Sequence, residues 1–360
     1  MVAFVDRMRG ALAVLVAISH IAPIYAMVNA EADGVLAILN PVLRFSGFNY
    51  VIGFIVISGY CVGRSTMHRP FNLLEYLVLR VTRIYPALIA GALLAGLVEI
   101  LLFNDPSRIP MWTTGIDLDH FTTNLVGLAG FKGQFGSYAP TYTVAYELFY
   151  YAIWGCALVL LPQAFGYFAM LATMPVLFLL LPSFQFPIVL SALWLMGAGL
   201  ATYEGLIIRY FRGWPLWIVW TGCYALFFWG NSEFVKHQVS LWHYPGSLCA
   251  IPCGLLFAVL IAAHLSRAGV ALAIDGWLGE ISYPLFLAHG PVIIAIGSLI
   301  KASGISLSFG ALVAILLGSS IAVAQAIVIL VERPVMAWRR SIQNRSGLLL
   351  HPQVGATREG

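Results

Sequence analysis

The chain has 360 residues, of which 61% are hydrophobic and only 9% are charged, and its formal net charge is +4. A soluble domain of average composition has roughly 25% charged residues. Because so few charges cannot cover a water-exposed surface, the composition excludes an ordinary soluble protein and predicts an integral membrane protein. So small a net charge gives no indication of nucleic-acid binding.

Long apolar segments occur along the whole chain. A helix needs about 20 residues, each rising about 1.5 Å, to cross the hydrocarbon layer. We therefore predict an all-α, polytopic membrane protein with about ten transmembrane helices, at 10–28, 47–64, 85–103, 143–162, 165–182, 187–204, 214–230, 247–265, 278–300 and 308–331. The first segment imitates a signal peptide, but its apolar sequence continues beyond His20, so we expect a retained helix.

The basic residues indicate the topology. With ten spans and cytoplasmic termini, fourteen of the 19 lysines and arginines fall on the cytoplasmic side, which is the bias that membrane proteins show. We therefore predict cytoplasmic termini, one transmembrane domain at 1–338 and a polar, disordered cytoplasmic tail at 339–360. The longest connection, about 104–142, is then external and long enough to form a lid or an acceptor site.

The first span carries two basic residues on one face. Arg9 and His20 are eleven residues apart, so they lie within about 20° of each other around the helix and about 16 Å apart along it. An ionisable side chain inside the bilayer costs at least about 2.5–3.5 kcal/mol, which makes this pair a candidate functional site. Asp6, one turn before Arg9, could pair with it. The alternative is a snorkelling arginine and a hydrogen-bonded core histidine.

The ninth span repeats this pattern. Ser282 and His289 are seven residues apart and share a helix face. The helix rise brings His289 to nearly the depth of His20, so we expect the two imidazoles to line one cavity. The alternative is that His289 only bridges helices, through Ser282 or a backbone carbonyl.

A cationic patch precedes the third span. Arg80 and Arg83 share a face one turn apart, just before Pro86, which we expect at the first position of the helix. Guanidinium groups match phosphate geometry, and the alternative is topology signalling or contact with anionic lipid headgroups. Three further basic residues belong to this patch: Arg64, His68 and Arg69.

The fourth span begins with a carboxylate, Glu147. Since this span is predicted to run inward, we expect Glu147 in the outer leaflet, nearer external solvent than His20. A carboxylate among aromatic residues there suits recognition of a hydroxyl group or a sugar, and the alternative is a partner for a basic group on another helix.

Five cysteines all lie in apolar runs without ligand spacing, so the sequence predicts no metal site and no disulfide framework.

Taken in order, these residues resemble the motifs of the acyltransferase 3 family of bacterial membrane-bound O-acyltransferases. The resemblance departs from the family at Arg7, where a glycine is usual, and at Tyr142 and Thr143, where tryptophan and serine are usual. The similar segments are Asp6-x-x-Arg9 with His20, Val56-Ile-Ser58-Gly59-Tyr60, Arg80-x-x-Arg83-Ile-Tyr-Pro86, Glu147-Leu-Phe-Tyr150, Gly279-Glu-Ile-Ser282-Tyr283 with His289, and Glu332-Arg333-Pro334.

The resemblance implies transfer of an acyl group, most often acetyl, from cytoplasmic acyl-CoA to a hydroxyl of an extracytoplasmic carbohydrate in the bacterial inner membrane. Acyl-CoA would be a co-substrate, with no tightly bound cofactor and no nucleic-acid partner; the remaining partners would be the carbohydrate and membrane lipid. A proton-coupled transporter or flippase is the alternative, since midplane histidines also relay protons, although the chain shows no pair of related halves.

The resemblance also implies roles for individual residues. His20 would act as general base, or else form an acyl-histidine, and Glu147 would orient the acceptor or neutralise the imidazolium. The arginines that would bind acyl-CoA are Arg9, Arg80 and Arg83, and the supporting residues are Asp6, Ser58, Ser282, Tyr283 and His289.

Overall fold

A computed structural model describes residues 3–29, 34–67, 70–111, 115–181, 185–215, 217–222, 225, 250–266 and 271–345. Within these residues the chain is helical, apart from turns and one isolated β-bridge between Gly115 and Phe135. The predicted all-α class is therefore confirmed for the described part of the chain.

The described residues form a succession of helices. In chain order they are α1 (Ala3–Val28), α2 (Gly34–Thr66), α3 (Leu73–Leu101), α4 (Leu118–Leu125), α5 (Ala129–Lys132), a 3₁₀ helix (Gly136–Thr141), α6 (Tyr142–Leu160), α7 (Gln163–Leu180), α8 (Gln185–Thr202), α9 (Glu204–Phe211), α10 (Ala250–Leu265), α11 (Ala273–Ser303), α12 (Phe309–Ile327), a π-helix (Val328–Glu332) and α13 (Arg333–Arg345).

Five helices of the described chain are long and apolar enough to cross a membrane. Together α8 and α9 make a sixth candidate that is bent by 85°. Eight of the 17 residues in the predicted segment 214–230 lie outside the described residues. The total of ten spans and the cytoplasmic position of both termini therefore stay predictions. The long apolar helices are α1, α3, α6, α11 and the continuous run from Phe309 to Ile342.

Close helix packing brings the polar residues of different helices together. Helix α1 packs against α2, α11 and α12, and α11 also packs against α3. Where α2 crosses α8, a Cβ atom at Gly59 would overlap the carbonyl oxygen of Trp194, and one at Gly197 would overlap that of Val56. At this crossing, glycines let the two backbones touch, as is common in membrane helix pairs.

The third helix begins earlier than the sequence predicts. It starts at Leu73, where the Asn72 side chain accepts a hydrogen bond from the Glu75 backbone N–H at 3.0 Å. Pro86 consequently lies inside the helix and not at its first position. A membrane helix tolerates an internal proline because neighbouring groups satisfy the backbone that it frees. The two arginines before Pro86 are therefore fixed on a helix.

The final helix extends into the segment predicted as a disordered tail. Helix α13 continues to Arg345, seven residues past the predicted boundary at 338. Arg339 donates a hydrogen bond from Nη1 to Thr82 Oγ1 on α3 at 3.1 Å, so packing against α3 orders this polar segment. The tail prediction is therefore wrong for 339–345, and residues 346–360 lie outside the described residues.

The long connection after α3 folds back onto the helices. The buried Glu99 carboxylate accepts hydrogen bonds from the Ser137 backbone N–H at 2.6 Å and from Arg108 Nη2 at 2.9 Å. Further along, Tyr138 donates its hydroxyl proton to the carbonyl of Leu88 at 2.8 Å. Because Leu88 lies midway along α3, this connection reaches deep among the helices before α6 begins.

Candidate active site

Two histidines from α1 and α11 meet inside the protein. His20 Nδ1 lies 2.9 Å from His289 Nε2, and the two rings are nearly parallel, at 5° with centroids 5.1 Å apart. His289 is fully buried. The expectation that the two imidazoles share one depth is confirmed, and they are in direct contact.

The hydrogen bonds fix which nitrogen carries each proton when both rings are neutral. His289 Nδ1 lies 3.1 Å from the carbonyl oxygen of Leu285, which can only accept, so the His289 proton is on Nδ1. His289 Nε2 must then accept from His20 Nδ1. The remaining nitrogen of His20, Nε2, therefore holds a lone pair and is the basic atom of the pair.

Ser282 does not take part in this contact. Its hydroxyl donates to the Gly279 carbonyl within the same helix at 2.9 Å. The partner of His289 across the helix interface is thus His20, and a bridge through Ser282 is not formed.

The three candidate arginines lie near Cys61 of α2, closer to the starts of α1 and α11 than the two histidines do. Arg9, Arg80 and Arg83 all act electrostatically on Cys61 of α2. Asp6 acts on Arg9 and Arg83, and its carboxylate packs against the backbone at Gly279. We call this group of three arginines the arginine cluster.

Two members of the arginine cluster are held by aromatic rings and polar groups. Arg80 Nη2 donates to Ser65 Oγ at 2.6 Å, and its guanidinium lies 5.4 Å from the rings of both Tyr76 and Tyr151. Aromatic faces attract cations in this way. The contact of Tyr151 with Arg80 ties helix α6 to the cluster.

Arg83 lies deeper and has an acidic partner. Its Nη1 is 3.4 Å from Glu332 Oε2, and its guanidinium is 5.9 Å from the ring of Tyr283. Of the wider basic patch, Arg64 donates to Tyr60 Oη at 2.9 Å and pairs with Glu204 at 3.9 Å. His68 and Arg69 lie outside the described residues.

Glu147 is the centre of a hydrogen-bond network. Ser58 Oγ and Tyr151 Oη both donate to its Oε1 atom. The indole Nε1 of Trp194 donates in turn to Ser58 Oγ at 3.2 Å. The network joins α2, α6 and α8 and fixes the carboxylate in one orientation.

The structure corrects the predicted position of Glu147. Tyr151, which binds Glu147, also lies against Arg80, and Glu147 acts electrostatically on Tyr283 beside Arg83. His289 lies six residues beyond Tyr283 on α11, about 9 Å further along the helix. Glu147 therefore lies with the arginine cluster and not on the outer side of His20. The sequence prediction was wrong because α6 begins deep among the helices, after the inward fold of the 3₁₀ helix.

The residue that replaces the usual glycine has a structural role. Arg7 binds both oxygens of Asp275, with Nε to Oδ1 at 2.7 Å and Nη2 to Oδ2 at 2.9 Å. This two-pronged ion pair joins the start of α1 to the start of α11, the two helices that carry the histidines.

Residues 2–331 match the model of the acyltransferase 3 family, which is described as an acyltransferase domain. The chain belongs to this family. No curated protein and no solved structure matches it. With its apolar helices, family membership makes the chain a multi-pass membrane acyltransferase.

The sequence did not identify Tyr151 or the partner of Arg83 in this acyltransferase site. Tyr151 follows Glu147 by four residues, so the spacing of side chains on one helix face could have indicated it. The partnership of Glu332 with Arg83 joins residues 249 positions apart, which no local pattern reveals. Among the described residues, no group of three or more His, Cys, Asp or Glu side chains could hold a metal ion.

Proposed function

We propose that this acyltransferase moves an acyl group, acetyl in the simplest case, from cytoplasmic acyl-CoA to a hydroxyl of an extracytoplasmic polysaccharide or lipid-linked sugar. The observation that carries the proposal is the His20–His289 pair, with an oriented basic nitrogen, on the same two helices that reach the arginine cluster. The histidine pair would act on the thioester, and the arginine cluster would bind the anionic part of the donor. Because the two lie at different positions along α1 and α11, this arrangement suits a long donor that ends in a thioester.

The arginine cluster supports an anionic donor. Guanidinium groups bind phosphate oxygens through pairs of N–H donors. The carboxylates around the arginine cluster are those of Asp6, Glu147 and Glu332. Because Glu147 already accepts hydrogen bonds from Ser58 and Tyr151, we expect the phosphates of acyl-CoA to bind through the N–H donors of the guanidinium groups and not through a surplus of charge. We place the phosphates at Arg9 and Arg80. Arg80 lies one turn nearer the start of α3 than Arg83 does.

The proposed chemistry uses the lone pair on His20 Nε2. As the acceptor oxygen attacks the thioester carbonyl carbon, Nε2 takes the hydroxyl proton. The C–S bond then breaks, and the thiolate leaves and receives that proton to give free CoA. General base catalysis of this kind contributes about 10²–10⁴-fold to the rate.

A second route uses the same atom as a nucleophile. Nε2 attacks the thioester, CoA leaves, and an acyl-histidine passes the acyl group to the acceptor. A single turnover with radiolabelled acetyl-CoA and no acceptor distinguishes the routes, because only the second leaves label covalently bound to His20.

Glu147 is better placed to support binding of the acyl-CoA donor than binding of the acceptor. Its carboxylate accepts a hydrogen bond from the Tyr151 hydroxyl, and the Arg80 guanidinium lies against the ring of the same Tyr151. We therefore assign it to holding Tyr151 and Ser58 in place near the donor. The Ser282 hydroxyl, which is bonded within its own helix, keeps a supporting role in packing.

The test is acyl transfer from radiolabelled acetyl-CoA to glycans in membranes that contain the protein, followed by mass spectrometry of the product. We expect His20→Ala to lower the rate of labelling by about 10²–10⁴-fold. His264→Ala is the matched control, because His264 lies on α10, where it stacks on Phe4 with ring centroids 3.8 Å apart. Normal labelling with His20→Ala would refute the catalytic assignment. Absence of any acylated product with the wild-type protein would favour a transporter.

A further inference from the structure

The arginine cluster and the side chains that contact Arg83 contain three buried polar atoms that have no hydrogen-bond partner within the described part of the chain. They are Arg80 Nε, Tyr283 Oη and Glu332 Oε1. Native proteins pair nearly all buried polar atoms, so a group of unpaired ones in a polar site indicates positions where a ligand binds.

These atoms belong to one site. The Arg83 guanidinium contacts both Glu332, at 3.4 Å, and the Tyr283 ring, at 5.9 Å. Tyr151 connects the site to Arg80, because it lies against the Arg80 guanidinium and acts electrostatically on Tyr283. The three unpaired atoms therefore lie around Arg83 and its neighbours.

The backbone at Glu332 is unusual. The residue ends a π-helix, Val328–Glu332, and its side chain is only 3% exposed. A π-helix places one extra residue in a helical turn, and such turns occur frequently at functional sites. Here the wider turn brings a carboxylate from the end of α12 to Arg83 on α3, with one oxygen on the guanidinium and the other unpaired.

The chemistry of Glu332 Oε1 selects its ligand group. A buried carboxylate oxygen accepts hydrogen bonds only, and its negative charge opposes a phosphate, so it requires an N–H or O–H donor. In acyl-CoA, the pantetheine arm carries amide N–H groups and a hydroxyl between the phosphates and the thioester. Tyr283 Oη can bind the carbonyls of the same amides because a phenol also donates.

The depth of these atoms agrees with that order of groups. Arg80 lies one turn nearer the start of α3 than Arg83, and His289 lies about 9 Å beyond Tyr283. Glu332 and Tyr283 are thus between the proposed phosphate position and the histidine pair. We infer that Glu332 and Tyr283 bind the pantetheine arm of the donor and make the site specific for CoA thioesters; this assignment rests on the proposed function.

The test compares two probes by calorimetry on the full-length protein in lipid nanodiscs. One probe is CoA, and the other is adenosine bisphosphate, which has nucleotide phosphates and lacks the pantetheine arm. In Glu332→Gln the amide oxygen faces Arg83, so its NH₂ group meets the N–H of the arm. We expect this change to raise the Kd for CoA about tenfold, the loss of one charge-assisted hydrogen bond. The Kd for adenosine bisphosphate should change by less than about twofold.

Two further variants complete the experiment. Tyr283→Phe removes only the hydroxyl and keeps the ring, so it should weaken the binding of CoA and leave the binding of adenosine bisphosphate unchanged. This variant keeps the inference testable if Glu332→Gln fails to fold. Glu280→Gln is the matched control, because Glu280 forms an exposed ion pair with Arg333 at 2.9 Å on the same side of the protein; both probes should bind it normally.

Each outcome bears on one of the two proposals. If Glu332→Gln and Tyr283→Phe weaken both probes equally, or change neither, the pantetheine assignment is overturned while the proposed function stands. If the wild-type protein binds neither CoA nor adenosine bisphosphate, the donor assignment in the proposed function fails, and the inference fails with it.

Discussion

Replacing His289 tests whether the second histidine positions the first. In the structure His20 Nδ1 has a hydrogen-bond acceptor at 2.9 Å in His289 Nε2, and this bond leaves the His20 lone pair on Nε2. His289→Ala removes the acceptor. The imidazole of His20 then loses its fixed orientation, and its proton is no longer held on Nδ1.

The magnitude follows from the cost of that hydrogen bond. Leaving a buried donor without its acceptor costs about 1–3 kcal/mol. Since about 1.4 kcal/mol corresponds to a factor of ten in rate, we expect kcat to fall by about 5- to 150-fold. The KM for acetyl-CoA should hardly change, because the arginine cluster lies about 9 Å or more away along the helices. His20→Ala should cost more, about 10²–10⁴-fold, because it removes the base itself.

A conservative substitution separates positioning from catalysis. The side-chain oxygen of glutamine can occupy nearly the place of the histidine Nε2 atom and accepts a hydrogen bond. His289→Gln should therefore restore kcat to within about threefold of the wild-type value, well above His289→Ala. Initial rates of label transfer, measured against acetyl-CoA concentration, give both constants. Equal losses for His289→Ala and His20→Ala would refute the positioning role, as would a glutamine variant no better than alanine.

Three further predictions concern the fold. Arg7→Ala should lower the thermal midpoint of unfolding in detergent by breaking the ion pair with Asp275. The midpoint of Arg7→Lys should lie between those of Arg7→Ala and the wild type, because lysine keeps the charge but not the two-pronged geometry. Equal midpoints for Arg7→Ala and wild type would contradict this prediction. Gly59→Ala should destabilise the protein by about 1–3 kcal/mol or more, since its Cβ would overlap the α8 backbone. Gly318→Ala, where nothing lies within 4 Å, should leave the unfolding midpoint unchanged, and a similar loss in both variants would refute the packing argument. Glu99→Gln should weaken the anchor of the connection between α3 and α6 by about 1.5–3 kcal/mol and speed its cleavage by added protease, and an unchanged cleavage rate would show that other contacts hold it.

The prediction of the histidine pair shows what helical periodicity can provide. The spacing of eleven positions from Arg9 to His20 determines that both side chains lie on one face of α1, because rotation per residue is fixed in a helix. The fixed rise per residue likewise placed His289 at nearly the same depth as His20. The hydrogen bond between the rings, and with it the protonated nitrogen of each, depends on the distance between α1 and α11, which no local pattern contains.

The position of Glu147 shows where such reasoning failed. Its depth was inferred from the assumption that α6 begins at the outer surface. The connection before α6 instead folds inward and is held by Glu99 and Tyr138. An irregular segment can enter the membrane region where other protein groups satisfy its backbone, and hydropathy alone does not reveal where this happens.

The amino-acid sequence by itself determined that this protein is helical, that it lies in a membrane and that it belongs to a family of acyltransferases, because composition, helical period and short motifs are local properties. Only the tertiary structure decided which polar groups are partners: Arg7 with Asp275, Arg83 with Glu332, and His20 with His289. These pairs join residues about 250 positions or more apart in the chain. Their contacts depend on how whole helices pack, and packing is set by the shape and volume of many side chains together.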